Sequence, residues 1–400
     1  MAPSVRVDPP SALPVPEFAL WQLGFRPFYL LASSFAALSV ALWALQFTGW
    51  LGHAYLAGPV WHAHELVFGY ALAVVVGFLL TAGKNWSGQQ TLQGLPLGLL
   101  AGLWVAGRVL VLTPYAWPAA IVNSAFPMAA AVALAVPFWR ARNRRNYFFI
   151  GLLVLLSIAQ LSVHLGQLQV LTLPAWLGVH LGLDLVLFIM AVMAGRVTAM
   201  FTNSGVPGAG ARRDPRLDAL ALGTVLAVLV ADGLGNSLPG RSVWMPALLG
   251  LATLAHLARM ALWQSHKTLK TPLVWILHAS YLWIVIHLAL RTLAMLDIVP
   301  ASLATHALTV GAIGGLTIGM MTRTARGHTG RPLVADKYEV AAYVAVLSAA
   351  AIRVFWPLLM PAQVLEAILA SALLWSLAFG IYAVRYWPVL TRKRADGRAG

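Results

Sequence analysis

Long apolar runs separated by short polar segments dominate the chain. Twelve of them approach the ~20 residues that cross about 30 Å of hydrocarbon at 1.5 Å per residue. They fall at 28–47, 62–82, 95–113, 116–138, 147–165, 174–200, 217–235, 244–263, 272–294, 301–321, 339–359 and 363–386. The pattern predicts an all-α polytopic membrane bundle of about twelve transmembrane helices, one domain over 28–386. Residues 1–27, Pro-rich and carrying Glu17 and Arg26, lack the basic-then-apolar run and cleavage site of a signal peptide and read as a cytoplasmic tail. Residues 387–400 read as a second, basic tail.

Cations test that count, because cytoplasmic segments carry the Lys/Arg excess. With the N-terminus inside, the inner segments hold Arg6, Arg26, Lys84, Arg140, Arg142, Arg144, Arg145, Arg212, Arg213 and Arg216. Lys267, Lys270, Arg323, Arg326, Arg331, Lys337, Arg392, Lys393, Arg394 and Arg398 follow. That is 20 of the 27; Arg241 alone is outside, and Arg108, Arg196, Arg259, Arg291, Arg353 and Arg385 fall in spans or at their ends. The alternation predicts an inner (cytoplasmic) membrane protein with both termini cytoplasmic. The net charge of +15 therefore records insertion and contact with an anionic leaflet, and no nucleic-acid partner. Only 10% of residues are charged, against roughly 25% in soluble domains, which excludes a soluble enzyme.

Spans 2, 6 and 10 share a pattern, each opening with His at the outer end and closing with Thr-Ala and a small polar loop. They run from His62 and His64 to Thr81-Ala82, from His180 to Thr198-Ala199, and from His306 to Thr324-Ala325. Spans 5 and 9 match around His164 and His287, whereas span 1 has no such His. The chain thus reads as three four-helix repeat units, about 28–138, 147–263 and 272–386, of domain scale.

Cysteine is absent, so a metal must be held by imidazole, carboxylate or thioether. Seven of the eleven His fall toward the outer face: His53, His62, His64, His164, His180, His287 and His306. Singly, an interfacial His caps a helix or touches headgroups. Together they suggest a His-lined metal or haem site, since ionisable groups in spans mark function and imidazole is a leading ligand for iron and copper. His62, His64, His180 and His306 are the metal-ligand candidates, with His164 and His287 next. His62 and His64 lie about 200° apart on a helix and serve different centres unless the backbone unwinds. Glu65 shares a face with His62, and Asp184 with His180; each is a candidate ring N–H acceptor or proton donor, or simply a helix–helix hydrogen bond. Arg108 and Arg353 are candidates for carboxylates such as haem propionates, while Arg196 and Arg323 read as snorkelling to headgroups. Met190 and Met193 read as core rather than Cu(I) ligands. Trp43, Trp50, Trp61, Trp86 and Trp387 read as interface anchors. No nucleotide-binding Gly-rich loop is present, so ATP-driven transport is unsupported.

Four blocks carry a resemblance: Trp21–Phe28, Trp61–Tyr70, Gly195–Gly205 and Met321–Arg331. With them the chain resembles the NnrS family of bacterial membrane proteins. The resemblance implies non-covalent b-type haem, copper, and a role in nitric oxide metabolism or protection against nitrosative stress. An oxidoreductase acting on nitric oxide, fed by an electron donor, would fit it. Haem–copper oxidases and nitric oxide reductases are similar in having twelve core helices in three arcs with outer His ligands. This chain departs from them in lacking adjacent His-His and His-Pro-Glu-Val-Tyr. The competing expectation is a transporter or permease for a metal, haem or protons, for which repeats and the intramembrane acids Glu65, Asp184 and Asp232 are suited.

Overall fold

The computed structural model describes residues 18–50, 55–56, 58–235 and 238–397. His53, Arg6, Glu17, Arg398 and the tail up to residue 17 lie outside the described residues. Twelve helices form: α1 (Phe25–Phe47), α2 (Gly58–Ser87), α3 (Leu95–Leu110), α4 (Ala116–Arg140), α5 (Phe148–Gln167) and α6 (Ala175–Gly205). After them come α7 (Pro215–Leu234), α8 (Arg241–Ala261), α9 (Pro272–Met295), α10 (Ala301–His328), α11 (Lys337–Leu359) and α12 (Val364–Thr391). Eleven are long and apolar enough to span a bilayer. The sixteen-residue α3 is the exception, about 24 Å long at 1.5 Å per residue, because the chain turns at Val111–Thr113 where a continuous span to 113 is expected.

Sequence neighbours pack side by side, and α1 packs along α12, closing the array. The most apolar windows of α2, α6, α9 and α10 are 72–78% buried, against 33–50% in the other long helices, so these four form the inner layer. Three of them are the helices with the His…Thr-Ala pattern.

The inner helices outrun their predicted spans. The polar stretches after each Thr-Ala are final helical turns rather than loops, ending at Gly88, Val206 and Thr329. Neighbouring segments bond to these turns: Asn143 Nδ2 donates to Trp86 O at 2.8 Å, Asn203 exchanges two hydrogen bonds with Ala211, and Arg394 donates to His328 O at 2.9 Å. Near their other ends, α2 and α10 widen into π-helical turns, Glu65–Ala71 and Ala307–Gly314. Each begins directly after a His and runs on without a break.

Caps are built where helices start at the termini-bearing end. Asp214 accepts from Arg216 and Leu217 N–H ahead of Pro215, and Asp336 forms a capping box with Glu339. Burial pushes the Asp336 carboxyl up, but the Glu339 N–H and Arg385 guanidinium outweigh it and hold it below its ordinary value. Its contribution is therefore present above the ordinary carboxylate pKa and lost as pH falls through the depressed folded value. Asp336→Ala is expected to cost about 1 kcal/mol at neutral pH, and its melting midpoint should converge with the wild-type value in acid. An undiminished gap at low pH would exclude this origin.

Candidate functional site

Opposite the termini, side chains that are scarce in this chain gather in three groups. The first joins α2, α3, α4 and α5. His64 donates from Nδ1 to Glu65 Oε1 at 2.8 Å, and Arg108 Nη1 donates to the same oxygen at 2.6 Å. Asn123 accepts from Arg108 and is also bonded by Gln160, whose Nε2 reaches Asn123 Oδ1 and His64 Nε2, each at 3.2 Å. The His64 and His164 rings stand edge to face, with centroids 4.8 Å apart. Tyr55 bonds His164 Nδ1, and His164 Nε2 is buried without a partner.

The expected pairing of Glu65 with His62 is replaced by pairing with His64 and Arg108. The π-helical turn starts at Glu65 and shifts the side-chain phase from there on. His62 and His64 do part: His62 stacks on Trp43 at 5.0 Å. Gly69, one turn on, meets the Arg108 guanidinium where a Cβ would stand, so the motif glycine lets Arg108 reach Glu65.

The second group contains His62, His306 and Arg353, which are electrostatic neighbours. His306 Nδ1 donates to Ser302 O at 2.7 Å, and His62 Nδ1 is buried and unpartnered. Among the described residues no carboxylate pairs with Arg353 or bonds it.

The third group lies between α6, α7 and α9. Arg291 bridges Asp184, at 3.1 Å, and Asp232, which also takes Arg241. One turn before Arg291, His287 donates from Nδ1 to Ala304 O at 2.7 Å and leaves Nε2 buried without a partner. Asp184 therefore serves Arg291, not His180, which is exposed beside Trp176. The structure brings His64 and His164 together, and His62 and His306, but not His180 with any of them. No three His, Asp or Glu side chains converge as a metal-holding set among the described residues.

One feature separates these histidines from those elsewhere in the bundle. His256 and His278 have both ring nitrogens engaged, by Tyr281 and Ala221 and by Ser265 and Thr202. In His287 and His306 a carbonyl can only accept, so Nδ1 carries the proton and Nε2 keeps its lone pair. His64 is set the same way by Glu65. An imidazole whose second nitrogen is tied to a backbone carbonyl or carboxylate is the usual form of a metal-ligating His. The residues thus fit imidazole-ligated haem or copper, and Arg353 fits a carboxylate partner, whereas Arg108 is already engaged by Glu65.

Several participants escape a reading of apolar runs: Tyr55, Asn123, Gln160 and Arg291. Gln160 sits four residues before His164 and Arg291 four after His287, so helical spacing carries a trace of both. Three expectations change, the first for Arg196, which is held by Asn146 Oδ1 and the rings of Trp86, Phe148 and Phe149 rather than snorkelling. Trp61 is 1% exposed and belongs to the core rather than the interface. Arg323 lies flat on Phe201 at 3.9 Å and is 9% exposed, so it is held by the protein and not snorkelling. Met190 and Met193 line an apolar central cavity.

A family model described as NnrS protein matches residues 19–394. No curated protein matches the chain.

Proposed function

The chain belongs to the NnrS family, and on that premise we propose that it is a membrane haem and copper protein acting in nitric oxide metabolism or protection against nitrosative stress. The observation that carries the reading is the pair of imidazoles with Nδ1 tied to a carbonyl and Nε2 free, His287 and His306, together with His164, whose Nε2 is unpartnered, beside His64, whose Nε2 meets only the Gln160 amide at 3.2 Å. His287 and His306 would hold b-type haem, with Arg353 meeting a propionate; His64 and His164 would hold copper. Bound iron or copper supplies an open coordination position for a small apolar gas that dissolves in the bilayer. The chain's own residues then fix ring orientation, through Ala304, Ser302 and Glu65, and neutralise charge, through Arg108 and Arg291. Glu65, with Oε2 unpartnered, is the residue placed to hold a proton beside His64.

The same reading sets the termini in the cytoplasm, the histidine groups toward the periplasm of the inner membrane, and the helices as three units of four. The unit arrangement is supported by Asp218–Arg259, between α7 and α8, and Glu339–Tyr386, between α11 and α12.

Purified protein is expected to show a Soret band and to contain iron and copper. His287→Ala or His306→Ala should remove the Soret band, His64→Ala should lower copper, and His180→Ala should change neither. Absence of both metals from the wild-type protein sinks the proposal.

A further inference from the structure

A second cavity, of about 390 Å³, opens at the termini-bearing end, far from the histidine groups. Its walls include Trp86 at the end of α2, Asn143, Arg145 and Asn146 between α4 and α5, Arg196 on α6, and Arg213 before α7. Three guanidinium-bearing side chains thus line one space, with Arg145 and Arg213 both close enough to bear on the Arg196 charge. Among the described residues neither Arg145 nor Arg196 has a carboxylate partner, and Arg213 shares Asp218 with Arg259. Arg196 is held in place: it lies over the rings of Trp86, Phe148 and Phe149 at 5.5, 5.4 and 5.3 Å. It donates to Asn146 Oδ1 at 2.7 Å and makes no other hydrogen bond among the described residues. Arg145 and Arg213 reach the cavity from its exposed rim and Arg196 from its half-buried wall, and the one carboxylate at the cluster, Asp218, is shared between Arg213 and Arg259. An anion with several acceptor oxygens would relieve the repulsion and take charge-assisted hydrogen bonds from the guanidinium forks.

The far wall of this cavity says what the anion is attached to. Met193 and Val197 of α6 also line the apolar cavity at the centre of the bundle, about 80 Å³, bounded by Val75 and Phe78 of α2 and Leu316 of α10. Met193 and Val197 are common to both walls, so the cationic chamber is apolar on the side facing the central cavity.

We infer that this is a binding site for a phosphate-bearing amphiphile, an anionic phospholipid whose phosphate takes Arg145, Arg196 and Arg213 while its chain lies toward Met193. It is independent of the haem and copper reading. Free phosphate has the same head chemistry, so the test separates the two.

Full-length protein is reconstituted with phosphatidylglycerol and phosphatidylcholine, delipidated, and weighed by native mass spectrometry with its retained lipid. Wild-type protein is expected to keep one phosphatidylglycerol in preference to phosphatidylcholine, undisplaced by millimolar inorganic phosphate. Arg145→Gln/Arg196→Gln should lower the affinity by about tenfold or more, the scale of losing charged hydrogen bonds. The single exposed Arg145→Gln, which leaves the aromatic cage intact, should lower it several-fold. Arg140→Gln/Arg142→Gln, on the same face outside the cavity, should leave it unchanged. Met193→Phe should weaken lipid retention through the apolar wall. The proposal is overturned if Arg145→Gln and the double variant retain lipid as wild type does, or if the Arg140/Arg142 pair loses as much, as diffuse leaflet attraction would produce. Displacement by inorganic phosphate overturns the amphiphile assignment.

Discussion

Arg108→Met is expected to destabilise the folded protein by about 3–5 kcal/mol, the cost of removing one partner from a buried ion pair. The Glu65 side chain is 1% exposed and depends on Arg108 Nη1 at 2.6 Å and His64 Nδ1 at 2.8 Å. Without Arg108 the carboxylate keeps only the imidazole, and Asn123 loses its guanidinium donor. The loss should read out as a lowered melting midpoint in detergent and a smaller monodisperse fraction on size exclusion. Removing the carboxylate as well, in Arg108→Met/Glu65→Leu, should restore most of the stability, because the stranded charge rather than the missing contact carries the penalty. Single and double variants that melt together would show that the pair is not the source.

Gly195→Ala is expected to cost about 2–4 kcal/mol although alanine favours the helix by about 1 kcal/mol. A Cβ at position 195 would overlap the Arg259 guanidinium. That group is 2% exposed and held by Nε to Asp218 Oδ1 at 2.6 Å, and by Nη1 to Ala191 O at 2.9 Å and to Tyr281 at 3.3 Å. Neither side yields without loss, since Gly195 is in mid-α6 and moving Arg259 breaks these bonds and leaves Asp218 to Arg213 alone. In an Arg259→Met/Asp218→Leu background the same Gly195→Ala change should cost less than about 1 kcal/mol or stabilise α6. A Gly195→Ala protein as stable as wild type in the native background would refute the steric account.

Helix count was legible because an apolar run of about 20 residues has few other uses, and Lys/Arg placement independently fixes which loops share a side. Helix ends were not. Lys84–Ser87, Asn203–Gly205 and Arg326–His328 have loop-like composition, and the bonds that hold them come from other segments: Asn143, Ala211, Glu339 and Arg394. The histidines were legible as a class. Their pairing was not, because it depends on the π-helical turns after His64 and His306, which no 3.6-residue periodicity announces. Spacing puts Asp184 on the His180 face and leaves it open to a helix–helix bond as well, and the Arg291 charge on α9 decides for the latter. Gly69 and Gly195 belonged to recognisable blocks, yet their purpose shows only with an arginine from another helix lying against each.

Arg26 carries a consequence for biogenesis. Completely buried, it donates to Leu390 O at 3.0 Å and Arg392 O at 2.8 Å, while Ala19 N–H bonds Thr391 O at 2.7 Å. Arg26 therefore finds these two carbonyls only after 364 or more further residues have been made. Until α12 is in place its guanidinium lacks both. A chain cut before Leu390 would deny Arg26 both carbonyls, leaving α1 loose at that end and as visible to membrane proteases as in a far shorter fragment.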